Sequence, residues 1–172
     1  MKIIIEKYNP SWKNEFKKEY QLLMNSIKEP DIKIKHIGST SIEGLAAKPI
    51  IDIMIGLKDF NTANNHIFAI ENSGYNYVSK HEDVMPYRRF FTKEFDEKRT
   101  HHIHMVEYGT EFWNRHLRFR DHLKANKLDR DRYQKLKLDL AKREWNDGNE
   151  YADAKSEFIK EIEEKSKATD KK

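Results

Sequence analysis

The sequence describes an α+β domain whose C-terminal third is helical. Its 172 residues match one domain of the usual ~100–200. Before Thr110, apolar residues alternate with period two in places, or run unbroken for the length of a strand. From Thr110 onward they recur every three or four positions.

In chain order, residues 2–8 read as a short strand. Asn9-Pro10 then supplies a helix start, Asn9 as cap and Pro10 in the first turn, where a missing N–H costs nothing. Trp12, Phe16, Leu23 and Ile27 share one face of that helix. Asp31 to Ile37 alternates as a half-buried strand and runs into the turn Gly38-Ser39, with at most one helical turn around Ile42 to Ala46. Ile50-Ile51-Asp52-Ile53-Met54-Ile55 is apolar on both faces, which places it inside a sheet with one carboxylate in its middle. Asp59 caps a helix carrying Phe60, Ala63, Ile67 and Ile70, which Gly74 ends.

Tyr75 to Ser79, Tyr87 to Thr92 and Thr100 to Tyr108 suit an antiparallel meander, the last run placing His102 and His104 on one face. Phe112, Trp113, His116, Leu117, Phe119 and Leu123 form one helical stripe, and Tyr133, Leu136 and Leu140 another. A third helix is expected from about Asn149 to Lys165, closing a single domain over 1–165. The tail 166–172 has no apolar residue larger than Ala and is expected to fray.

Composition narrows the function. A 12% aromatic content excludes wholesale disorder. Lys and Arg number 33 against 29 Asp and Glu, interleaved along the chain, and no basic stripe with aromatics stands out. Nucleic acid therefore ranks below a nucleotide or other phosphorylated small molecule as partner. With no Cys, disulfides, thiolate metal sites and thiol nucleophiles are excluded, and a reducing cytoplasm is the expected location. No run of ~18 apolar residues suggests a membrane span. The oligomeric state is not encoded legibly.

The stretch His36 to Ile53 carries the most chemistry. A strand ending in Gly38-Ser39, a short turn and a buried strand with a carboxylate together can hold a triphosphate. Small residues admit backbone N–H groups to phosphate oxygens, and the Ser39 and Thr40 hydroxyls add donors. Asp52, 13 residues after Ser39, would hold the bridging magnesium. The same residues read equally as a polar turn and a hydrogen-bonded strand carboxylate.

This run resembles the signature of the GrpB family, within the DNA polymerase beta-type nucleotidyltransferase superfamily. So, in order, do Tyr8-Asn9-Pro10-Ser11-Trp12, Gly74-Tyr75, Arg99 to His104, Phe119 to Leu123, Tyr133 to Lys137 and Tyr151 to Lys155. The resemblance implies a nucleotidyltransferase-like mixed sheet packed with helices. It implies a nucleoside triphosphate bound with a divalent metal, magnesium or manganese, and a nucleotidyl group passed to an acceptor, with Ser39 and Asp52 as the catalytic pair. The superfamily's second acid is absent, because Met54 stands in its place, and a thioether does not ligate magnesium.

His102 and His104 are the candidate replacement ligands beside Asp52, the alternative being histidines that merely satisfy the core. His36 has a weaker claim. Arg88, Arg89, Lys137 and Lys155 are candidate phosphate partners. Tyr133 with Lys137, and Tyr151 with Lys155, are each four apart on a helix, so both pairs can converge on a nucleotide; solvated lysines and core tyrosines are the alternative. Two other functions remain open: a non-catalytic module binding a nucleotide or coenzyme phosphate, and a His/Asp metal-dependent phosphatase or hydrolase.

Overall fold

In the computed structural model of the protein, which describes residues 1–169, a five-stranded mixed sheet lies between two groups of helices. Helix α1 (Ser11–Ser26) starts where the Asn9 side chain accepts a hydrogen bond from the Ser11 amide at 3.0 Å. Strand β1 (Lys33–Ile37) leads into a short 3-10 turn (Ser39–Ser41), and β2 (Ile51–Leu57) returns antiparallel to β1. A 3-10 segment (Phe60–His66), capped by the Asp59 carboxylate, continues into α2 (Ile67–Asn72). Strands β3 (Asn76–Val78), β4 (Arg89–Phe95) and β5 (Lys98–Glu107) form the expected meander. β5 then pairs parallel with β2, giving the order β1-β2-β5-β4-β3. The C-terminal third is helical: α3 (Glu111–Ala125), α4 (Lys127–Ala141), α5 (Gly148–Asp153) and α6 (Ser156–Thr169).

The alternation of β2 decides what covers each face. Ile51, Ile53, Ile55 and Leu57 point to α1 and α2, joining Trp12, Leu23, Ile70, Phe91 and Ile103 in the main core. Met54 points the other way, buried with Ile37, Val106 and Trp113 beneath α3. Full burial of an aliphatic or aromatic side chain is worth about 1.5–3 kcal/mol, so these residues dominate the stability. Gly56 sits on the α3 face because the Trp113 indole occupies the space of a side chain.

Four expectations are corrected. Residues 2–8 form no strand: Glu6 exchanges two backbone hydrogen bonds with Ala47, and the next bonded pair would need an N–H from Pro49, which has none. The helical turn expected at Ile42 to Ala46 lies earlier, at Ser39–Ser41, where the Ser41 hydroxyl donates to the Gly38 carbonyl at 2.6 Å. The helix expected from Asn149 to Lys165 is two, with Lys155 in the break. The polar end expected to fray is helical through Thr169, with Ser166 buried and its hydroxyl on the Glu163 carbonyl. Residues 170–172 of that tail lie outside the described residues.

A methyl group at Gly56 would lie 2.5 Å from Cζ3 of Trp113. Gly56→Ala is therefore expected to cost about 1–3 kcal/mol and lower the thermal midpoint by several degrees. Calorimetry showing an unchanged midpoint would mean that the indole yields without loss.

Candidate functional site

Register alone brings the first three groups together. In the parallel β2–β5 pair Asp52 lies opposite His102 and Met54 opposite His104, so all four side chains leave the same face. The His102 Nδ1 and Asp52 Oδ1 atoms are 3.1 Å apart. Asp52, His102 and His104 can each offer a ligand atom, and these atoms lie within 4.8 Å of one another. His102 Nε2 is buried with no hydrogen-bond partner among the described residues. Burial alone would raise the Asp52 pKa; the His102 hydrogen bond and the surrounding imidazoles outweigh it and hold the carboxyl below its ordinary value. Burial pushes His104 down to about 3, so its imidazole is neutral at neutral pH.

The turn reaches this carboxylate because Gly38 has no side chain. Its φ is +69°, in the left-handed region, and a Cβ there would stand 2.4 Å from Asp52 Oδ2. Ser39 follows, and its hydroxyl accepts from the Lys137 ammonium at 3.0 Å. Lys137 is only 2% exposed and also donates to the Ala46 carbonyl. Burial, then the nearby Lys155, lowers its pKa to about 7. Burial lowers Lys155 to about 8 despite the attraction of Asp52. Lys48 is lowered for the same first reason.

Both Tyr–Lys pairs meet, the first along α4 as expected, the second with Lys155 in the break after α5 and not on the helix of Tyr151. The Lys137 nitrogen lies 4.8 Å from the Tyr133 ring centre and the Lys155 nitrogen 4.3 Å from that of Tyr151. The tyrosines are also core residues: Tyr133 stacks on Phe158, and Tyr151 sets its edge against Trp145. The Tyr151 hydroxyl is buried without a partner among the described residues.

These groups line two lobes that share Asp52, Ser39 and Lys155. One, of ≈ 300 Å³, adds Lys48, His102, Lys137 and Tyr151; the other, of ≈ 430 Å³, adds Gly38, His104, His116 and Tyr133. Three sequence candidates have other duties. Arg89 is opposite Met105 in the β4–β5 register, which turns it to the far face, where it donates to Asn64 Oδ1 and the Pro86 carbonyl. Its neighbour Arg88 reaches the cluster instead, with Nη1 3.3 Å from His104 Nδ1. Thr40 lines the first lobe, but its hydroxyl donates to the Ile50 carbonyl and so ties the turn to the approach of β2. His36, pulled down to about 4 by burial, stacks on Phe16 behind the turn.

Lys48 and His116 were not singled out from sequence. Lys48, four residues before Asp52, carried a signal in that nearness. His116 was hidden in the apolar stripe of α3. Met54 is fully buried, so no carboxylate two residues after Asp52 is available on this wall.

The family model described as GrpB protein matches residues 2–165. The UPF0157 protein of Halalkalibacterium halodurans is 35% identical, over 97% of this chain and 84% of its own. The glutamate-rich protein GrpB of Alkalihalophilus pseudofirmus is 38% identical, over 93% of each chain. The crystal structure of the conserved protein GrpB from Enterococcus faecalis superposes with a TM-score of 0.87 at 34% identity, covering 98% of this chain and all of that one.

The buried Lys137 has a signed pH signature. Between its folded value of about 7 and its ordinary 10.5, the unfolded chain binds a proton that the folded chain does not, so stability contributed by this group rises with pH. Below about 7 the burial penalty is full. Wild type should gain stability relative to Lys137→Met as pH is raised from 7 to 10 in urea unfolding; parallel profiles would refute the depressed pKa.

Proposed function

The chain belongs to the GrpB family, and we propose that it binds a nucleoside triphosphate with a divalent cation and transfers the nucleotidyl group to an acceptor. The observation that carries this reading is one cavity wall. The Gly38-Ser39 turn, a carboxylate flanked by two histidines and three lysines with depressed pKa values meet there, Lys137 and Lys155 having no carboxylate in hydrogen-bond contact among the described residues. Buried ammonium groups with neutral hydrogen-bond partners but no carboxylate beside them are costly unless an anion visits them.

Asp52, His102 and His104 would hold the cation. Two imidazoles and one carboxylate fit manganese, zinc or iron better than magnesium, which prefers an oxygen shell. A cation held there would neutralise phosphate charge and act as a Lewis acid. The chain's own groups do the rest. The absent Cβ of Gly38 lets phosphate oxygens approach the backbone, and Ser39 supplies a hydroxyl donor. Lys48, Lys137 and Lys155 neutralise the triphosphate and the pyrophosphate that leaves as the acceptor oxygen bonds the α-phosphorus.

The ligand set favours a second reading, metal-dependent hydrolysis of a phosphate ester, because His102 Nε2 is buried and free beside a carboxylate. Thermal unfolding across nucleoside triphosphates, with magnesium, manganese or chelator, tests the first reading. Ligand at ~100 times its Kd should raise the midpoint by roughly 5–11 °C, and Asp52→Asn should abolish the rise. Pyrophosphate release that requires an acceptor identifies transfer, whereas acceptor-independent release of inorganic phosphate identifies hydrolysis. No rise with any nucleotide and metal sinks the proposal.

Binding should also take up protons. Burial lowers the Lys137 pKa to about 7, so part of the population is neutral near pH 7.5, and an incoming polyphosphate restores its charge. Calorimetric enthalpies in buffers of different ionisation heat should reveal net uptake, lost in Lys137→Met; release would contradict the assignment.

A further inference from the structure

Behind the Ser39–Ser41 turn, on the side away from Asp52, lies a separate groove of ≈ 640 Å³ between α1, β1 and the α3–α4 pair. Lys13 and Lys17 of α1, Lys35 of β1, Arg120 and Lys124 of α3 and Arg130 of α4 line it, against the single carboxylate of Glu43. That is more positive charge than the whole chain carries net, +4. Charges interleaved in sequence are thus sorted in space, and the remainder of the surface is close to neutral.

The cations are available. Lys13, Lys17, Lys35 and Lys124 are exposed and form no ion pair among the described residues. The two arginines are anchored by part of their donor set: Arg120 through Nη1 to the His36 carbonyl and Nε to Asp121, Arg130 through Nη1 to the carbonyls of Leu123 and Lys124. Burial, then repulsion from Arg120 and Lys13, lowers the Lys124 pKa despite Asp121, so these charges crowd one another. Like charges gathered this way destabilise the free protein and favour an anion that spans them.

The groove also has rings. Tyr8 and Phe16 line it, both packed against the core: Phe16 with one face stacked on His36 at 4.7 Å, Tyr8 edge-on to Trp12 at 5.8 Å. Cations along a channel with fixed aromatic faces are how sequence-tolerant single-strand binders work, phosphates on the charges and bases on the rings. An acidic peptide or an inorganic polyphosphate matches the charge and leaves the rings unused.

We infer that this groove binds single-stranded nucleic acid. The inference stands on the groove alone, although Thr40 lines both this groove and the Asp52 cavity, so a bound strand would lie one turn away from that site.

The test is fluorescence anisotropy with a short labelled single strand, the same sequence as a duplex, and inorganic polyphosphate as competitor. Wild type should bind the single strand more tightly than the duplex, and polyphosphate should compete weakly. The triple variant Lys13→Glu, Lys17→Glu, Lys124→Glu changes exposed side chains and relieves their repulsion, so it should melt no lower than wild type by circular dichroism and keep the nucleotide-induced thermal shift. Its salt slope for the single strand should flatten by about 2, at roughly 0.7 per phosphate contact. Tyr8→Leu keeps an apolar side chain against Trp12 and should weaken single-strand binding roughly tenfold while leaving duplex binding unchanged. Equal affinity for duplex, polyphosphate that displaces the strand at matched charge, or unaltered binding by the triple variant would each overturn the inference. Failure of the nucleotide shift with strand binding intact would sink the transferase reading and leave this one standing.

Discussion

One strand pairing sets the site: β2 beside β5, parallel, with Asp52 opposite His102. A slip of one residue would send every β2 side chain to the other face, placing the carboxylate in the main core and an isoleucine in the cavity. The register is guarded by burial, because Ile51, Ile53 and Ile55 with Ile103 and Met105 are at most 1% exposed on the opposite face. The Gly38 approach, the Lys137 contact and the His104 position all presuppose that alignment.

The helices on the other face balance two demands. Tyr133, Leu123, Ile42, Leu45 and Ile162 bury apolar surface there, while α4 and the α5–α6 junction push two lysines into the same wall. The lysines oppose folding near neutral pH, and the aromatic packing around them offsets that cost. Met54 belongs to the same balance. A carboxylate at that depth, under Trp113, would be a second buried anion beside Asp52, so the thioether favours the folded state and leaves Asp52, His102 and His104 as the groups of that wall able to offer a ligand atom.

What could be read in the sequence was what is local. The Gly38-Ser39 turn and Asp52 lie within one short run, the parity of His102 and His104 follows from counting along one strand, and the spacing of Tyr133 and Lys137 follows from one helix. The misreadings came from what the chain does at a distance. Arg89 opens β4 on the face away from the cavity while Arg88, just before the strand, reaches His104, and that difference depends on how β4 pairs with β5. Residues 2–8 have strand composition, yet their partner segment contains Pro49. The basic groove draws on four elements, none of which carries an unusual charge by itself, so no window along the chain could reveal it.

The distances along the chain have a consequence for synthesis. Ser39 and Lys137 are 98 residues apart, and Asp52 and His102 are 50 apart. A ribosome-bound chain can complete its sheet once Glu107 has emerged, well before α4 follows. During that interval Met54 and Val106 on one sheet face, and Ile42 and Leu45 in the connection beside it, lack their helical cover, the kind of transient apolar surface that draws chains together. The C-terminal helices therefore shield the nascent chain before they serve the cavity. A chain halted between Glu107 and Lys155 would be removed by aggregation or proteolysis before its chemistry could matter.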